Sequence, residues 1–341
     1  LKVTMLTECV TSLRYFFPIL RVLKDGEHDI KIVYPADGSG LGKYNSAIRN
    51  LNIIADRIVK LYPKTELVPV VSDSAKIKTD VLFTVECVPR GIQGNIFQYD
   101  KKFCIQHGTD YTNFIQYADE NTTYIAHDAC YQSDFVKKFG INAIYPDLPV
   151  TFWDINEQLN FFSQAHINSL LKKRIAYIFY PDKGNKQLAK ETILYLNSLG
   201  LTVFVKQRRK HQSVEKFNLE NVHVLYDDIW YPSEAVVFSS IADIVLGFSS
   251  AAYSDLAAAG VNYIDLALEP YSKCRSEISK NSQWPGYVKP YERSNFYYIN
   301  NGNFEEIKHK IDKILSLNGN DNLQKFNNSL KIGEKFLKDI L

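Results

Sequence analysis

The sequence predicts an α/β fold with parallel sheets in two domains, and three observations predict it. Short apolar runs alternate with stretches of helical spacing along most of the chain, the rhythm of successive βα units. That rhythm breaks near Tyr145–Pro149 and restarts at Arg174–Phe179, which divides 341 residues into two halves of ordinary domain size. Glycines stand where helices should stop, at Gly140, Gly200 and Gly260.

In the first half, strands are expected at Val3–Leu6, Ile30–Tyr34, Val81–Thr84, Lys102–Gln106 and Thr123–Ala126. Helices fit Leu13–Lys24, Tyr44–Leu61 and Ala129–Phe139. The opening residues read as a first strand, being too short and too quickly polar for a secretory leader. The aromatic and polar stretch 151–172 reads as a linker. The second half gives strands at Arg174–Phe179, Thr202–Lys206, Val222–Leu225, Ile244–Leu246 and Tyr263–Leu266. Its helices are expected at Lys186–Leu199, Ser233–Ser240 and Ser250–Ala259. Two more helical stretches, Phe304–Leu317 and Leu323–Leu341, form a tail long enough to cross back to the first domain. The expected organisation is therefore 1–150, a linker 151–172, 173–317, and a returning helix 318–341.

Composition narrows the function classes. A formal charge of +2 provides no global field for nucleic acid. The five cysteines are scattered, with no CxxC pair, so neither a disulfide framework nor a zinc site is expected. A reducing cytoplasm fits best. No apolar stretch approaches the roughly 18 residues of a membrane span, so at most peripheral contact with the inner membrane face is expected.

Chemistry concentrates at strand ends. The run Phe103–Gln106 delivers His107, Gly108 and Thr109 to the end of a buried strand. A neutral imidazole there can take a proton from a hydroxyl, and Gly108 lets a ligand approach the backbone. An isolated histidine is more often a satisfied core residue, but the strand-end position and the triplet favour the base. His127 and Asp128 follow the next strand in the same way and are candidates for lining the site.

In the second half, Ala242–Gly247 leads into Phe248, Ser249 and Ser250 and an Ala-rich helix. A helix start leaves amides unpaired and favours an anion, so Ser249, Ser250 and those amides can hold a diphosphate. The plain alternative is an ordinary serine-capped helix. Asp255, five residues before Gly260, is placed to meet a ribose hydroxyl. Lys206 and Arg208, in the basic run Lys206–His211, can neutralise phosphate. Lys183 lies in a turn, Tyr180–Asn185, that can also reach the donor. The run Gly38–Lys43 mimics a phosphate loop but has Asp37 and Tyr44 where that motif needs glycine and a hydroxyl. It reads instead as a glycine loop opening a helix.

These placements resemble the GT-B superfamily of nucleotide-dependent transferases. The resemblance implies two Rossmann-like domains facing each other across a cleft, with the donor mainly on the second domain and a C-terminal helix returning to the first. It implies that the segment Ala242–Ser250 with Asp255 and Gly260 binds the donor. The nearest branch is the CDP-glycerol glycerophosphotransferase-like enzymes of teichoic-acid and capsule assembly. They carry a His-Gly-Thr triplet like His107-Gly108-Thr109, and its histidine is implied as the base; they also carry an aspartate, paired serines and a later acid like Asp243, Ser249, Ser250 and Asp255. The sequence departs from that branch in three places. Asp110-Tyr111 follow the triplet where proline and a basic residue are usual, Ser249 and Ser250 sit one position earlier relative to the strand aspartate than is usual, and Tyr180–Lys183 stands where a Thr-Tyr-Arg turn is usual.

The implied activity is transfer of a glycosyl or polyol-phosphate group from a nucleotide sugar or CDP-polyol to a glycan or lipid-linked acceptor, without metal or other cofactor. A UDP-sugar epimerase or hydrolase of the same fold, and a non-catalytic nucleotide-sugar-binding protein, are the alternatives.

Overall fold

The structure is a computed structural model. It describes residues 1–7, 13–35, 54–70, 75–85, 96–105, 120–125, 142–144, 146, 150–181, 186–207, 215–225, 231–248, 256, 260–266, 296–299, 303–317 and 321–341. The chain forms two compact units. The first comprises Leu1–Asp154, Asp228–Tyr231 and Leu330–Leu341; the second comprises Ile155–Asp227 and Pro232–Ser329.

The first unit holds seven parallel strands: β1 (Lys2–Leu6), β2 (Asp29–Pro35), β3 (Thr65–Val70), β4 (Ile77–Val85), β5 (Phe97–Ile105), β6 (Thr122–Ile125) and β7 (Ala143–Ile144). Their order is β3-β2-β1-β4-β5-β6-β7, so the winding reverses between β1 and β4. Both faces are covered, which is why the central strands are nearly continuous apolar runs. Val3 and Met5 of β1 and Val81, Phe83 and Val85 of β4 enter one core, while Leu6 and Leu82 enter another on the opposite face.

Remote parts of the chain complete the larger core. Helix α1 (Phe17–Leu23) starts with Pro18 in its first turn and buries Phe17, Ile19 and Leu20. The Phe17 ring stacks on Tyr231, with centroids 3.5 Å apart and planes within 9°. The Tyr231 hydroxyl donates to the fully buried Asp154 carboxylate, and its carbonyl accepts from Arg57.

The stretch 151–172, expected as a linker, is mostly helical. It contains a 3-10 turn (Val150–Phe152), α2 (Ile155–Leu159) and α3 (Gln164–Leu170). Its aromatic residues serve as core, since Phe152 and Trp153 are buried. The division between units falls after Asp154, within that stretch.

The second unit holds six parallel strands: β8 (Ile175–Phe179), β9 (Thr202–Lys206), β10 (Val222–Leu225), β11 (Ile244–Gly247), β12 (Tyr263–Leu266) and β13 (Phe296–Ile299). The order is β10-β9-β8-β11-β12-β13, reversing between β8 and β11. Helix α4 (Lys186–Ser198) packs Leu188, Ile193 and Leu196 on one face of this sheet. It ends at Gly200, whose φ of 77° is the left-handed conformation expected of a helix-stopping glycine. Helix α5 (Glu234–Ile241) puts Phe238 on the other face, against Tyr177 and Phe204.

Two helices close the chain, α6 (Phe304–Ser316) and α7 (Asn322–Ile340). Helix α7 is divided between the two units. Residues up to Ser329 belong to the second unit, where Asn322 donates to the Ala242 carbonyl at 2.6 Å and Lys325 to the Gly260 carbonyl at 3.0 Å. From Leu330 onward the helix belongs to the first unit. Gly333 lies so close to the Trp153 ring that a Cβ there would fall within it. Glu334 pairs with Arg21 at 2.6 Å, and Arg21 also donates to the Trp153 carbonyl at 3.3 Å. Among the described residues no helix is long and apolar enough to cross a membrane.

Candidate functional site

Where a parallel α/β sheet reverses its winding, the loops after the two central strands diverge and leave room for a ligand at their carboxyl ends. In the second unit that point lies between β8 and β11. The register lines up Leu225, Lys206, Phe179, Gly247 and Asp265 across the carboxyl edge. Gly247 is therefore the last strand residue before Phe248-Ser249-Ser250, at the reversal itself. Its lack of a side chain has a local cause: a Cβ would collide with the hydroxyl of Tyr263 on the neighbouring strand, and that ring is fully buried.

Lys206 ends β9 and forms an ion pair with Glu234, the first residue of α5. Both side chains are mostly buried. Glu234 was not singled out from the sequence, although an acid in a helix's first turn is favoured by the helix dipole.

Next to this pair is a hydrogen-bonded cluster that the sequence also did not reveal. Gln207 uses its side-chain amide as a strand would use its backbone. It donates to the Glu215 carbonyl at 2.8 Å and accepts from the Glu215 amide at 2.9 Å. The Glu215 carboxylate accepts from Tyr180 at 2.8 Å and pairs with Lys190 at 2.9 Å and Lys186 at 3.3 Å. Partial burial works against its charge, but the hydrogen bonds from Lys190, Tyr180 and Lys186 prevail and hold its pKa below the ordinary carboxylate value. The Tyr180 hydroxyl is pushed well above the usual phenol range, by burial first and then by the neighbouring Glu215. No local sequence pattern signals the cluster, because its members meet only through the fold.

Asp243, grouped by resemblance with the donor segment, lies at the opposite edge of the sheet. It precedes β11 and accepts from the Ile175 amide at 2.6 Å, which secures the start of β8. Burial raises its pKa, and that amide and Arg174 partly offset the rise.

In the first unit β5 ends at Ile105, two residues before His107. His107, Gly108, Thr109, His127, Asp128, Lys183, Arg208, Ser249, Ser250 and Asp255 lie outside the described residues, as do the glycine loop Gly38–Lys43 and the expected helix Ala129–Phe139. Among the described residues no group of three His, Cys, Asp or Glu side chains is arranged to hold a metal.

No family model matches the chain. No curated protein matches it at a significant level. Solved structures do. A Methanocaldococcus jannaschii UDP-GlcNAc 2-epimerase, in complex with UDP-GlcNAc and UDP, superimposes with a TM-score of 0.54 at 13% identity, covering 100% of this chain and 99% of that one. A Neisseria meningitidis UDP-GlcNAc 2-epimerase gives 0.52 at 11% identity, covering 100% and 99%. The protein has a GT-B fold. An E. coli heptosyltransferase gives 0.45 at 12% identity, covering 92% of this chain and 99% of that one, a score too low to carry weight. At these identities the likeness establishes the GT-B fold and nothing finer. The same fold was implied in the sequence by the strand–loop–helix ending at Gly260 and by the returning helix.

Proposed function

We propose that the protein is a transferase that moves a glycosyl group from a nucleotide-activated sugar to a glycan or lipid-linked acceptor in cell-surface polysaccharide biosynthesis. One observation carries the reading: the second sheet reverses its winding at β8 and β11, and the serine-bearing segment leaves β11 at that reversal. A nucleotide sugar is preferred to a CDP-polyol because the structures of comparable fold were solved around UDP-GlcNAc. The finer resemblance to CDP-glycerol enzymes rests on the sequence segments alone.

In this reading Ser249, Ser250 and the adjoining amides receive the donor diphosphate, Asp255 the ribose, and Arg208 and Lys183 add positive charge. Lys206 serves the same end, but a diphosphate has to compete with Glu234 for it. His107 removes the proton of an acceptor hydroxyl as that oxygen bonds to the anomeric carbon. The bond from that carbon to the phosphate oxygen breaks, and the nucleoside diphosphate leaves with the electron pair. Gly108, Thr109, His127 and Asp128 line the acceptor side.

The test has two parts. Thermal shift against UDP, CDP and GDP should show a rise in Tm with one base, because a ligand bound only to the folded state stabilises it. His107→Ala should keep that shift and lose turnover about a hundredfold or more, the usual scale for a lost general base. Unchanged turnover would remove His107 from the chemistry.

A second reading, a UDP-sugar 2-epimerase, is favoured by the identity of the structures that superimpose above a TM-score of 0.5. Incubation with UDP-GlcNAc alone, followed by NMR, separates the two. Inversion at C2 without any acceptor would establish the epimerase.

A further inference from the structure

Two of the cations assigned to the donor, Lys183 and Arg208, belong to separate connections, and the residues flanking both connections are tied to one carboxylate. Lys183 lies between Tyr180, just past β8, and Lys186, the first residue of α4. Arg208 opens the stretch 208–214, between Gln207, just past β9, and Glu215. The Glu215 carboxylate accepts from the Tyr180 hydroxyl at 2.8 Å and pairs with Lys186 at 3.3 Å, so it holds both sides of the first connection. Lys190, one turn further along α4, adds a third bond at 2.9 Å. The Glu215 backbone is in turn held by the two hydrogen bonds of the Gln207 side chain, which close the second connection at its base.

This anchor is seated firmly. The Tyr180 amide donates to the Lys206 carbonyl at 2.9 Å and the Gln207 amide to the Leu225 carbonyl at 3.1 Å, so the ends of β8, β9 and β10 are locked together. The Phe217 ring meets Tyr180 edge-on, with centroids 5.9 Å apart, and packs with Leu219 against the second unit's core. Gln207 itself is buried. The stretch it closes begins Arg208-Arg209-Lys210-His211, a basic run whose charges repel one another. Closing a flexible loop costs entropy, and concentrating like charge in it costs more; a fixed base offsets both. A cation whose position is set beforehand also loses less freedom when an anion arrives.

We propose that Glu215 and Gln207 are positioning residues for the donor diphosphate. Neither touches it; together they hold the connections that carry Lys183 and Arg208 in one fixed relation at the carboxyl edge, where Lys206, Phe179 and Gly247 stand in register. Glu215 acts on both connections through its carboxylate and backbone, and Gln207 acts on the second alone. This role rests on the reading of that edge as the donor site, and it serves a transferase and an epimerase equally.

Isothermal titration of the full chain with UDP, CDP and GDP tests it, at a temperature where melting curves show every variant folded. Gln207→Ala should bind the parent's preferred diphosphate about tenfold more weakly, the scale of one hydrogen bond to a charged group. Glu215→Gln should lose more, because it releases both connections. In an Arg208→Ala background, Gln207→Ala should cost no more than a further twofold, since the amide works through that arginine. Should Glu215→Gln not fold, Gln207→Ala, which removes no charge, decides the matter with its double variant. Parent-like affinity in a variant whose Tm alone falls would overturn the proposal by assigning the cluster to stability only. A full further loss in the Arg208→Ala background would overturn it too, as would tighter binding by Glu215→Gln, which would mean that the carboxylate masks Lys186 and Lys190 from the ligand. A parent that binds none of the three nucleotides would instead remove the donor reading itself, and this role with it.

Discussion

The two units share one topology yet close their cores by different means. The second fills its core from its own helices: α4 and α6 cover one face, and α5 with its aromatic cluster covers the other. The first borrows. Its core contains Tyr231, carried in by a four-residue excursion of the chain, and Leu337 from the last helix, which also covers Trp153. A sheet wound in the same way is therefore self-sufficient in one unit and dependent on distant sequence in the other.

The contrast is tested most severely by ending the chain at Ser329. Removing 330–341 uncovers Trp153 and takes Leu337 out of the core, so the first unit should lose cooperative melting while the second keeps its own transition. Differential scanning calorimetry with hydrogen exchange would show this. Protection surviving in β1 and β4 would show that the first unit closes without help. A point version is Gly333→Val. With no room above the indole, it should cost about 3 kcal/mol, at the upper end of overpacking effects, read by urea unfolding of the first unit.

The second unit's independence is tested by a smaller effect at Glu215. Its pKa is lowered in the folded state, so its contribution to stability is present above the unfolded carboxylate value and is lost as pH falls through the lower folded one. Glu215→Gln should therefore be less stable than the parent by about 1 kcal/mol at pH 7, with the gap closing in the acid range. Urea melts at a series of pH values would measure it. A gap that stays constant with pH would mean that the carboxylate's charge is immaterial.

Legibility from sequence followed position in the sheet. Strands buried on both faces must be apolar throughout, and β1, β4, β9, β11 and β12 were found within a few residues for that reason. The strands missed, β3, β7 and β13, all lie at sheet edges. There one side is unpaired, and the sequence is freer to carry Glu66 and Pro69, as β3 does. The stretch around Trp153 was misread as a linker because a short buried turn has no period to detect. Tyr231 was invisible for the same reason, since an aromatic in a brief excursion looks like one in any loop.

Of the candidate site, what the sequence disclosed was where strands end: Ile105 before His107, Gly247 before Ser249, and Lys206 at the tip of β9. Side-chain partnerships such as Gln207 with Glu215 join residues through space, and no local pattern announces them.

The closing helix has a consequence for the order of events at the ribosome. Translation delivers the seven strands of the first unit before those of the second, but the residues that seat over its indole, from Leu330 onward, follow the second unit's. The second unit has its full set by Ser329 and can settle sooner. Of the two units, the one whose strands are made earlier is thus the one that must wait to be finished.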